Sequence, residues 1–381
     1  MPVTGSSAEL ARPATPGHLL ALIRTRPVWT RRELLDATGM SRPTLLERLA
    51  PLFAAGLIHE AGSTPSDGGR PAQLIRFDDR RMAVLTFDMG HTHGRVCVSG
   101  VRGRELRSET VRLDLARISP DDVLTRLTAV AAGLADPAQR LIGVGVGLPG
   151  PISPATGLPG ASTVLRLWED FPVLDRLRSR WDVPIVLEND ARAFALGEAS
   201  ADPGGILLGV KWSSGIGAGV VADGQCLAGA DGAAGDIGHI RLDPAGPACR
   251  CGRRGCLAAY ASGHALATRI GVSSVEEIAA RAGEPAVRDL LAEAARRVGE
   301  VLAALIALVN PRTLVLGGAL GELPAVVSLV DSRVRDIAMP HSTDGLRVVP
   351  SRLSGRAATA GLVDLVVRRV LDPDAVDRTL T

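Results

Sequence analysis

The 381-residue sequence is poor in aromatic residues, contains one lysine and has no long apolar segment. Aromatic side chains make up 3% of the chain and Lys211 is its single lysine, so arginine carries almost all of the positive charge. Because no run of about 18 apolar residues occurs, the sequence predicts no membrane span. The amino-terminal segment lacks a basic stretch followed by an apolar one, so we expect no secretory signal and a cytoplasmic location.

The small surplus of positive charge lies in the first fifth of the chain. The whole chain has a net charge of +2, and its 46% hydrophobic and 22% charged content excludes a disordered protein. Residues 1–80 hold ten basic and eight acidic residues, whereas the remainder is balanced. GC-rich coding explains the preference for arginine, so the position of the surplus is the informative feature.

Residues 17–77 have the pattern of a helix-turn-helix followed by a β-hairpin. The first helix is predicted at Gly17–Arg26. Thr30 and Glu33 form a capping box for the second helix, which Gly39 ends. A helical protein-interaction domain is the alternative, but the hairpin that follows favours DNA binding.

The third helix, capped by Ser41, is expected to enter the major groove. Its buried stripe is predicted to consist of Leu45, Leu46, Leu49, Leu52 and Phe53. Its predicted DNA contacts are Arg42, Thr44 and Arg48, with Glu47 also facing outward. Two short strands at 57–58 and 74–77 flank a polar turn, 62–71, which predicts a wing that presents Arg70 to DNA.

From residue 82 onward, short apolar strands alternate with longer helical segments, which predicts an α/β architecture with strand ends at a cleft. The strands are predicted at 82–90, 141–150, 183–190, 205–221 (two strands about a glycine turn) and 312–318. The helices are predicted at 120–134, 174–180, 191–198, 274–282 and 285–309.

Polar residues at two strand ends are candidates for a ligand site. Asp88, with Gly90 and Thr92 beside it, can hold a metal ion or a phosphate. Asn189 and Asp190 close another strand, where a carboxylate can take a proton from a hydroxyl or bind a sugar hydroxyl. The alternative for Asp190 is an N-cap of the helix that follows.

A glycine turn between two predicted strands, residues 213–219, is a further candidate. Gly215 and Gly217 can bring backbone N–H groups close to an anion. A tight hairpin is the equally weighted alternative.

One histidine and three cysteines form the most specific motif of the chain. His239 precedes Cys249, Cys251 and Cys256, and the glycines between the cysteines allow a sharp turn. A Cys3His set is typical of a closed, structural zinc site, so the loop 239–256 is predicted to bind Zn²⁺. Three free thiols are the alternative. The other two cysteines, Cys97 and Cys226, are expected to be ordinary thiols.

Together these motifs resemble the ROK family of bacterial repressors and sugar kinases. The segments 229–239 and 249–262 resemble the two family signatures, 188–198 the sugar-site signature and 88–93 the nucleotide-phosphate signature. The resemblance covers nearly the whole chain. It implies a two-lobed, α/β actin-like ATPase domain over 80–381, preceded by a winged helix-turn-helix over 1–79 with regular structure from about residue 16.

The resemblance also implies roles for individual residues. Asn189, Asp190, Asp236 and His239 would bind the sugar, with Asp190 as the base in kinases and His239 also a zinc ligand. The nucleotide-phosphate remnant would consist of Asp88, Gly90, Thr92, Gly215 and Gly217.

Two departures from the family pattern predict that kinase activity is lost and that ATP and Mg²⁺ are not cofactors, and a third changes the sugar site. Ala258 stands where the family usually has a sugar-binding Glu. His91 replaces a glycine of the phosphate loop and would crowd the triphosphate. Asp236 is one methylene shorter than the usual Glu.

The predicted function is therefore a sugar-responsive repressor of carbohydrate uptake or catabolism genes. It would bind operator DNA as a homodimer or dimer of dimers and take a mono- or oligosaccharide effector. Because the amino-terminal charge is modest, affinity is expected from a symmetric dimer at a palindrome. An ATP-dependent hexose kinase with an appended DNA-binding domain is the alternative. A zinc hydrolase is disfavoured because Cys3His leaves no open coordination position.

Overall fold

The computed structural model describes residues 15–63, 73–160 and 165–380. They form an amino-terminal unit and two α/β lobes. The amino-terminal unit consists of α1 (Pro16–Arg24), β1 (Trp29–Thr30), α2 (Arg31–Thr38), α3 (Arg42–Ala54), β2 (Ile58–Ser63) and β3 (Gln73–Phe77). None of the helices in these described ranges is long and apolar enough to cross a membrane.

Each lobe is built on one five-stranded sheet. The amino-terminal lobe consists of β4 (Met82–Met89), β5 (His93–Gly100), β6 (Glu105–Arg112), α4 (Pro120–Leu134), β7 (Arg140–Leu148), α5 (Val173–Arg178) and β8 (Ile185–Asn189). The carboxy-terminal lobe begins with α6 (Asp190–Ala201), β9 (Leu207–Trp212), β10 (Ile216–Ala222), β11 (Gln225–Cys226), α7 (Leu257–Ala261), α8 (Gly263–Ile270), α9 (Val275–Ala280) and α10 (Pro285–Val309). It ends with β12 (Thr313–Gly317), α11 (Gly318–Gly321), α12 (Pro324–Ile337), α13 (Pro340–Thr343) and β13 (Arg347–Pro350). Two final helices follow, α14 (Ala357–Val370) and α15 (Pro373–Leu380).

The amino-terminal unit has the predicted helix-turn-helix and hairpin. Thr30 accepts a hydrogen bond from the Glu33 N–H, and Glu33 accepts one in return, so the capping box forms. Gly39 ends α2 in the left-handed region at φ 65°. Ser41 caps α3, and β1, β3 and β2 form a three-stranded antiparallel sheet. This arrangement is a winged helix.

Two details of the winged helix differ from the prediction. Leu46 was placed in the buried stripe and is 44% exposed, because it lies one residue beyond Leu45 and so off the face that Leu45, Leu49 and Leu52 bury. Phe53 is half-buried and packs against the same core. β2 continues through Gly62, which was predicted to begin the turn. The wing tip, including Arg70, lies outside the described residues.

The two lobes repeat the same mixed sheet. In the amino-terminal lobe β4, β7 and β8 run parallel, with β5 and β6 antiparallel at one edge. In the carboxy-terminal lobe β9, β12 and β13 run parallel, with β10 and β11 antiparallel at one edge. This duplicated arrangement is the predicted actin-like fold. The strands that were predicted lie within a few residues of their ranges, and the longest helix matches its predicted bounds, whereas β5, β6, β11 and β13 were not predicted.

Helices α6 and α14 cross where the two lobes meet. α6 packs on β9 and β10, whereas α14 packs on β4, β7 and β8. A Cβ on Gly197 of α6 would lie 1.9 Å from the Ala357 carbonyl oxygen. A Cβ on Gly361 of α14 would lie 1.9 Å from the Ala193 carbonyl oxygen. The helices therefore touch backbone to backbone, which only glycine permits at these two positions.

Gly361→Ala should destabilise the protein by about 3 kcal/mol, at the upper end for overpacking, because the clash is with backbone. Gly133→Ala is the matched control, since a Cβ there meets nothing within 4 Å in α4. That change should stabilise the protein by up to about 1 kcal/mol, because alanine favours the helical conformation more than glycine does. Urea unfolding measures both, and a Gly361→Ala midpoint at or above wild type contradicts the tight crossing.

Candidate functional site

A cleft of about 860 Å³ opens between the lobes, and most of the predicted site residues line it. They are Gly90, His91, Asn189, Asp190, Gly215, Gly217, Asp236, His239, Cys249, Cys251 and Ala258. Asp88 lies directly behind this surface and is 8% exposed. The strand ends of both sheets therefore meet at one cleft, as the sequence predicted. Thr92 is exposed but is not among the lining residues.

Lys211, at the end of β9, joins the two carboxylates of the cleft. Its Nζ lies 2.9 Å from Asp190 Oδ2 and 3.8 Å from Asp88 Oδ1. Burial lowers the pKa of Lys211, but the two carboxylates raise it by more, so the ammonium stays charged. The single lysine of the chain thus places a fixed positive charge between the carboxylates of the two lobes.

Asn189, rather than Asp190, caps helix α6. The Asn189 side-chain oxygen accepts from the N–H groups of Ala191 and Arg192 at 3.0 Å, and its Nδ2 donates to the Gly150 carbonyl. Asp190 is the first residue of α6 and is therefore free of the capping role that the sequence allowed for it. The cap fixes the Asp190 carboxylate at the cleft edge.

Arg192 and Glu188 support this strand-to-helix junction from behind. Arg192 is 2% exposed and makes an ion pair with Glu188 at 2.6 Å. It also donates to the Gly232 carbonyl at 2.6 Å, which ties the junction to the loop before Asp236. A buried arginine paired in this way positions the cleft residues and does not itself face a ligand.

His91 follows β4 of the amino-terminal lobe and lies against the glycine turn of the carboxy-terminal lobe. A Cβ on Gly215 would lie 3.6 Å from His91 Cε1, so the imidazole occupies the space between the two loops. Burial lowers the pKa of His91 to about 4, which leaves the ring neutral at physiological pH.

The glycine turn is a hairpin that joins β9 to β10, which confirms the alternative considered for it. Ser213 N–H donates to the Gly215 carbonyl across the turn. A Cβ on Gly217 would lie 2.9 Å from the Ala191 side chain, so this glycine permits the packing of α6. All five residues of the turn from Ser213 to Gly217 line the cleft.

One histidine and three cysteines form a compact group that could bind a metal ion. The ligand atoms of His239, Cys249, Cys251 and Cys256 all lie within 4.8 Å of one another. Cys251 Sγ and Cys256 Sγ are 3.6 Å apart, and Cys249 Sγ is 3.7 Å from His239 Nδ1. A tetrahedral ion with metal–sulfur bonds of about 2.3 Å needs sulfur–sulfur distances of about 3.8 Å. The donor set and its spacing therefore fit a tetrahedral metal.

Arg253 lies beside these thiols. Burial raises the pKa of the Cys251 thiol, whereas hydrogen bonds from the backbone and side chain of Arg253 lower it. The lowering is the larger effect, so the pKa is about 6. A thiol with this pKa is largely thiolate at neutral pH, the form that binds metals.

The three predicted DNA contacts on α3 differ in exposure. Arg42 is exposed at its first turn, and the side chain of Arg48 is 35% exposed. Thr44 is half-buried, and its Oγ1 lies 2.8 Å from Ser41 Oγ, so its hydroxyl takes part in the cap. Leu46, on the same helix, is 44% exposed.

The sequence interpretation assigned no role to Lys211, Arg192 or His264. His264 lines the cleft at the start of α8. For Lys211 a signal was present, since a single lysine among 43 basic residues stands at a strand end next to the glycine turn. For the other two residues the sequence contains no comparable signal.

Two actin-like lobes around a cleft, preceded by a winged helix, define a class of protein that joins DNA binding to ligand binding. Residues 84–369 match the ROK family, and the chain belongs to this family.

The relatives include both repressors and kinases. The xylose repressor of Bacillus spizizenii is 25% identical and covers 93% of this chain and 94% of its own length. The glucokinase of Thermotoga maritima is 30% identical over 76% of this chain and 99% of its own length. A crystal structure of a ROK family transcriptional regulator, a homologue of the Escherichia coli MLC protein, superimposes with a TM-score of 0.78. It is 24% identical and covers 98% of this chain and 99% of its own. The regulators match the winged helix as well as the lobes, whereas the glucokinase matches a shorter part of the chain.

Proposed function

We propose that this protein is a sugar-responsive transcriptional repressor of carbohydrate uptake or catabolism genes. The proposal rests on one observation: the same chain contains a winged helix and the two-lobed cleft of the ROK family. The match to the xylose repressor covers 94% of that protein, so it includes both parts. Operator DNA would meet α3 and the wing in a homodimer or dimer of dimers, and a mono- or oligosaccharide would bind between the lobes. The boundary between the two functions would lie near residue 79.

The sugar site would consist of Asn189, Asp190, Asp236 and His239. Lys211 engages one carboxylate oxygen of Asp190, and a carboxylate has two, so a sugar hydroxyl can donate to the other. Asn189 Nδ2 has a second hydrogen beyond the one donated to Gly150. Asp236 is exposed at the cleft, where it can accept hydroxyl protons.

Phosphoryl transfer would be absent for two physical reasons. Asp190 would have to accept a hydroxyl proton, yet one of its two carboxylate oxygens is already occupied by the Lys211 ammonium at 2.9 Å. The half-buried imidazole of His91 also narrows the space at Gly215, where a phosphate chain would approach the backbone. These two residues favour binding without chemistry, and they argue against ATP and Mg²⁺ as cofactors.

The metal would be structural Zn²⁺, held by His239, Cys249, Cys251 and Cys256. When bound, the ion would cross-link the loop that leads from Asp236 to Ala258 along the cleft wall. Four protein ligands leave no open coordination position, so the ion would stabilise the wall and not act on a substrate.

A gel-shift experiment on the DNA upstream of the protein's own operon tests the repressor. We expect a specific shift whose midpoint changes with D-xylose, D-glucose or another member of a sugar panel. Arg42→Ala should weaken binding about tenfold, within the 1–3 kcal/mol of a base contact. Arg126→Ala, an exposed arginine on α4, is the control that should bind like wild type. The absence of a specific shift under every sugar condition would sink the proposal.

A coupled assay with ATP, Mg²⁺ and a hexose panel tests the kinase alternative. We expect no turnover. Steady phosphate transfer that disappears in Asp190→Asn would establish a kinase and contradict the proposed absence of phosphoryl transfer.

A further inference from the structure

We infer that Lys211 is a built-in cation that takes the place of a divalent metal ion between Asp88 and Asp190, so that the cleft excludes Mg²⁺ and binds an uncharged sugar without it. The inference rests on the proposed function, because the occupant of the cleft is there a sugar. Three features of the molecule carry it: the path of the lysine side chain, the two carboxylates that it joins, and the coordination chemistry of those carboxylates.

The first feature is the path of the lysine side chain between the carboxy-terminal sheet and helix α6. Lys211 lies on the central strand β9, and its partners on the two neighbouring strands, β10 and β12, are Gly217 and Gly317. Paired residues direct their side chains to the same face of a sheet. A Cβ on Gly217 would lie 2.9 Å from the Ala191 side chain, so this face is the one that α6 covers. Lys211 therefore has no side chain beside it on either strand, and its own side chain reaches the first residue of α6, Asp190.

The second feature is the pair of carboxylates that the ammonium joins. The Lys211 Nζ lies 2.9 Å from Asp190 Oδ2 and 3.8 Å from Asp88 Oδ1. Among the described residues, the buried Asp88 Oδ1 has no hydrogen-bond partner. Arg95 of β5 pairs with Asp88 in the sheet, but its guanidinium donates to Glu105. Because an uncompensated buried carboxylate is costly, the ammonium between the lobes is the charge that compensates Asp88 as well as Asp190.

The third feature is the coordination chemistry of two carboxylates that face each other across a cleft. Mg²⁺ binds through one or two carboxylates at about 2.1 Å and keeps several water molecules, and Mn²⁺ prefers the same ligands. An ion at that distance from Asp190 Oδ2, on the side that faces Asp88, would overlap the Lys211 Nζ. The ammonium and the metal ion therefore exclude each other, and the residues of this cleft do not fit Mg²⁺ while the lysine is present.

The difference between an ammonium and a metal ion decides which ligands this part of the cleft accepts. Mg²⁺ leaves coordination positions open and is commonly bound together with the phosphate groups of a substrate. The Lys211 ammonium brings one positive charge to two carboxylates, so the three groups keep a negative charge that repels a phosphate. The hydroxyl groups of an uncharged sugar meet no such repulsion, and they can donate to the Asp190 oxygen that Lys211 leaves free.

A manganese titration of the full chain tests the exclusion of metal. Electron paramagnetic resonance counts the free Mn²⁺, so it gives the number of ions bound per chain. We expect Lys211→Met to bind one Mn²⁺ more than the wild type, at least tenfold more tightly than the weak surface binding common to both, and Mg²⁺ to compete for it. Lys211→Arg, which keeps a cation between the carboxylates, is the matched control and should bind no more Mn²⁺ than the wild type. Lys211→Met/Asp88→Asn should lose the additional ion, because one of its two carboxylates is gone.

Urea unfolding gives a second readout of the same exchange. Excess Mn²⁺ should raise the unfolding midpoint of Lys211→Met and leave that of the wild type unchanged, because only the variant has a site in its folded state. Lys211→Gln, whose amide can still donate to Asp190, takes the place of Lys211→Met if that variant does not fold. The inference is overturned if the folded variants bind no more Mn²⁺ than the wild type. It is also overturned if the wild type binds an ion that Asp88→Asn removes.

The sugar response of the wild type gives a third readout. The rise in melting temperature with D-xylose, D-glucose or N-acetyl-D-glucosamine should be the same with and without Mg²⁺, and a rise that requires Mg²⁺ contradicts the built-in cation. The manganese titration uses neither DNA nor sugar. A negative titration beside a sugar-dependent gel shift therefore rejects the inference alone, whereas a positive titration without any gel shift rejects the proposed function alone.

Discussion

Replacing Cys251 by serine is expected to abolish binding of the proposed zinc ion and to lower the stability of the carboxy-terminal lobe by about 4 kcal/mol. This is the linkage free energy of a ligand present at about a thousand times its dissociation constant. The physical reason is that a serine hydroxyl is a poor zinc ligand, so the remaining three donors hold the ion weakly. The loop between His239 and Cys256 would lose its cross-link. The nearby cleft wall at Asp236 and Ala258 would then lose the support of this loop.

Metal analysis and thermal unfolding, each with and without a chelator, measure this effect. Cys226→Ser is the matched control, because Cys226 lies outside the group of four ligands and burial raises its pKa to about 12. That change should leave metal content and melting temperature close to those of the wild type. A chelator should destabilise the wild type but not Cys251→Ser. Normal sugar response in Cys251→Ser, with no zinc in the purified wild type, would refute the structural role.

The features that the sequence predicted well are those set by neighbouring residues. The capping box at Thr30 and Glu33 and the left-handed Gly39 are decided within one turn of chain. The metal group depends on three cysteines within eight residues, which glycine turns can fold onto one point. The helix Pro285–Val309 has a long apolar period between a proline and a C-terminal cap, so both ends could be located.

The features that the sequence did not predict depend on contacts between distant residues. Gly217 was considered for anion binding or a tight hairpin, and its packing role was not foreseen: its lack of a side chain makes room for Ala191 of α6. The glycines of the α6–α14 crossing are 164 positions apart, Gly197 and Gly361, and no local pattern relates them. Leu46 was misplaced because several leucines in one helix leave the width of the buried stripe undetermined until its neighbours are known.

The pairing of Lys211 with two carboxylates is the most consequential contact of this kind, and it allows a strong prediction. Lys211→Met keeps the length of the side chain but removes the cation between Asp88 and Asp190. Both carboxylates are largely buried, with side chains 11% and 15% exposed. Removing one partner of such a pair leaves uncompensated buried charge and costs about 3–5 kcal/mol. We expect Lys211→Met to unfold at markedly lower urea than the wild type at neutral pH.

The pH dependence gives this prediction its sign. In Lys211→Met the two carboxylates repel each other, so a proton taken up by either one stabilises the folded state more than the unfolded state. The folded variant then binds more protons, and its stability falls as pH rises from about 5 to 8. The defect should therefore be smaller at pH 5 than at pH 8, which urea unfolding at the two pH values measures.

Two further variants isolate the charge from the packing. Lys211→Arg keeps the cation and should retain most of the wild-type stability, whereas Lys211→Met/Asp190→Asn removes the repulsion and should recover part of the loss. The double-mutant cycle thus measures the coupling between Lys211 and Asp190 directly. If Lys211→Met is as stable as wild type at pH 8, or if its defect is equal at both pH values, the ion pair does not hold the lobes as the geometry indicates. A real coupling would mean that an effector hydroxyl at Asp190 must compete with the ammonium, so Lys211→Met would also change which sugars shift the melting temperature.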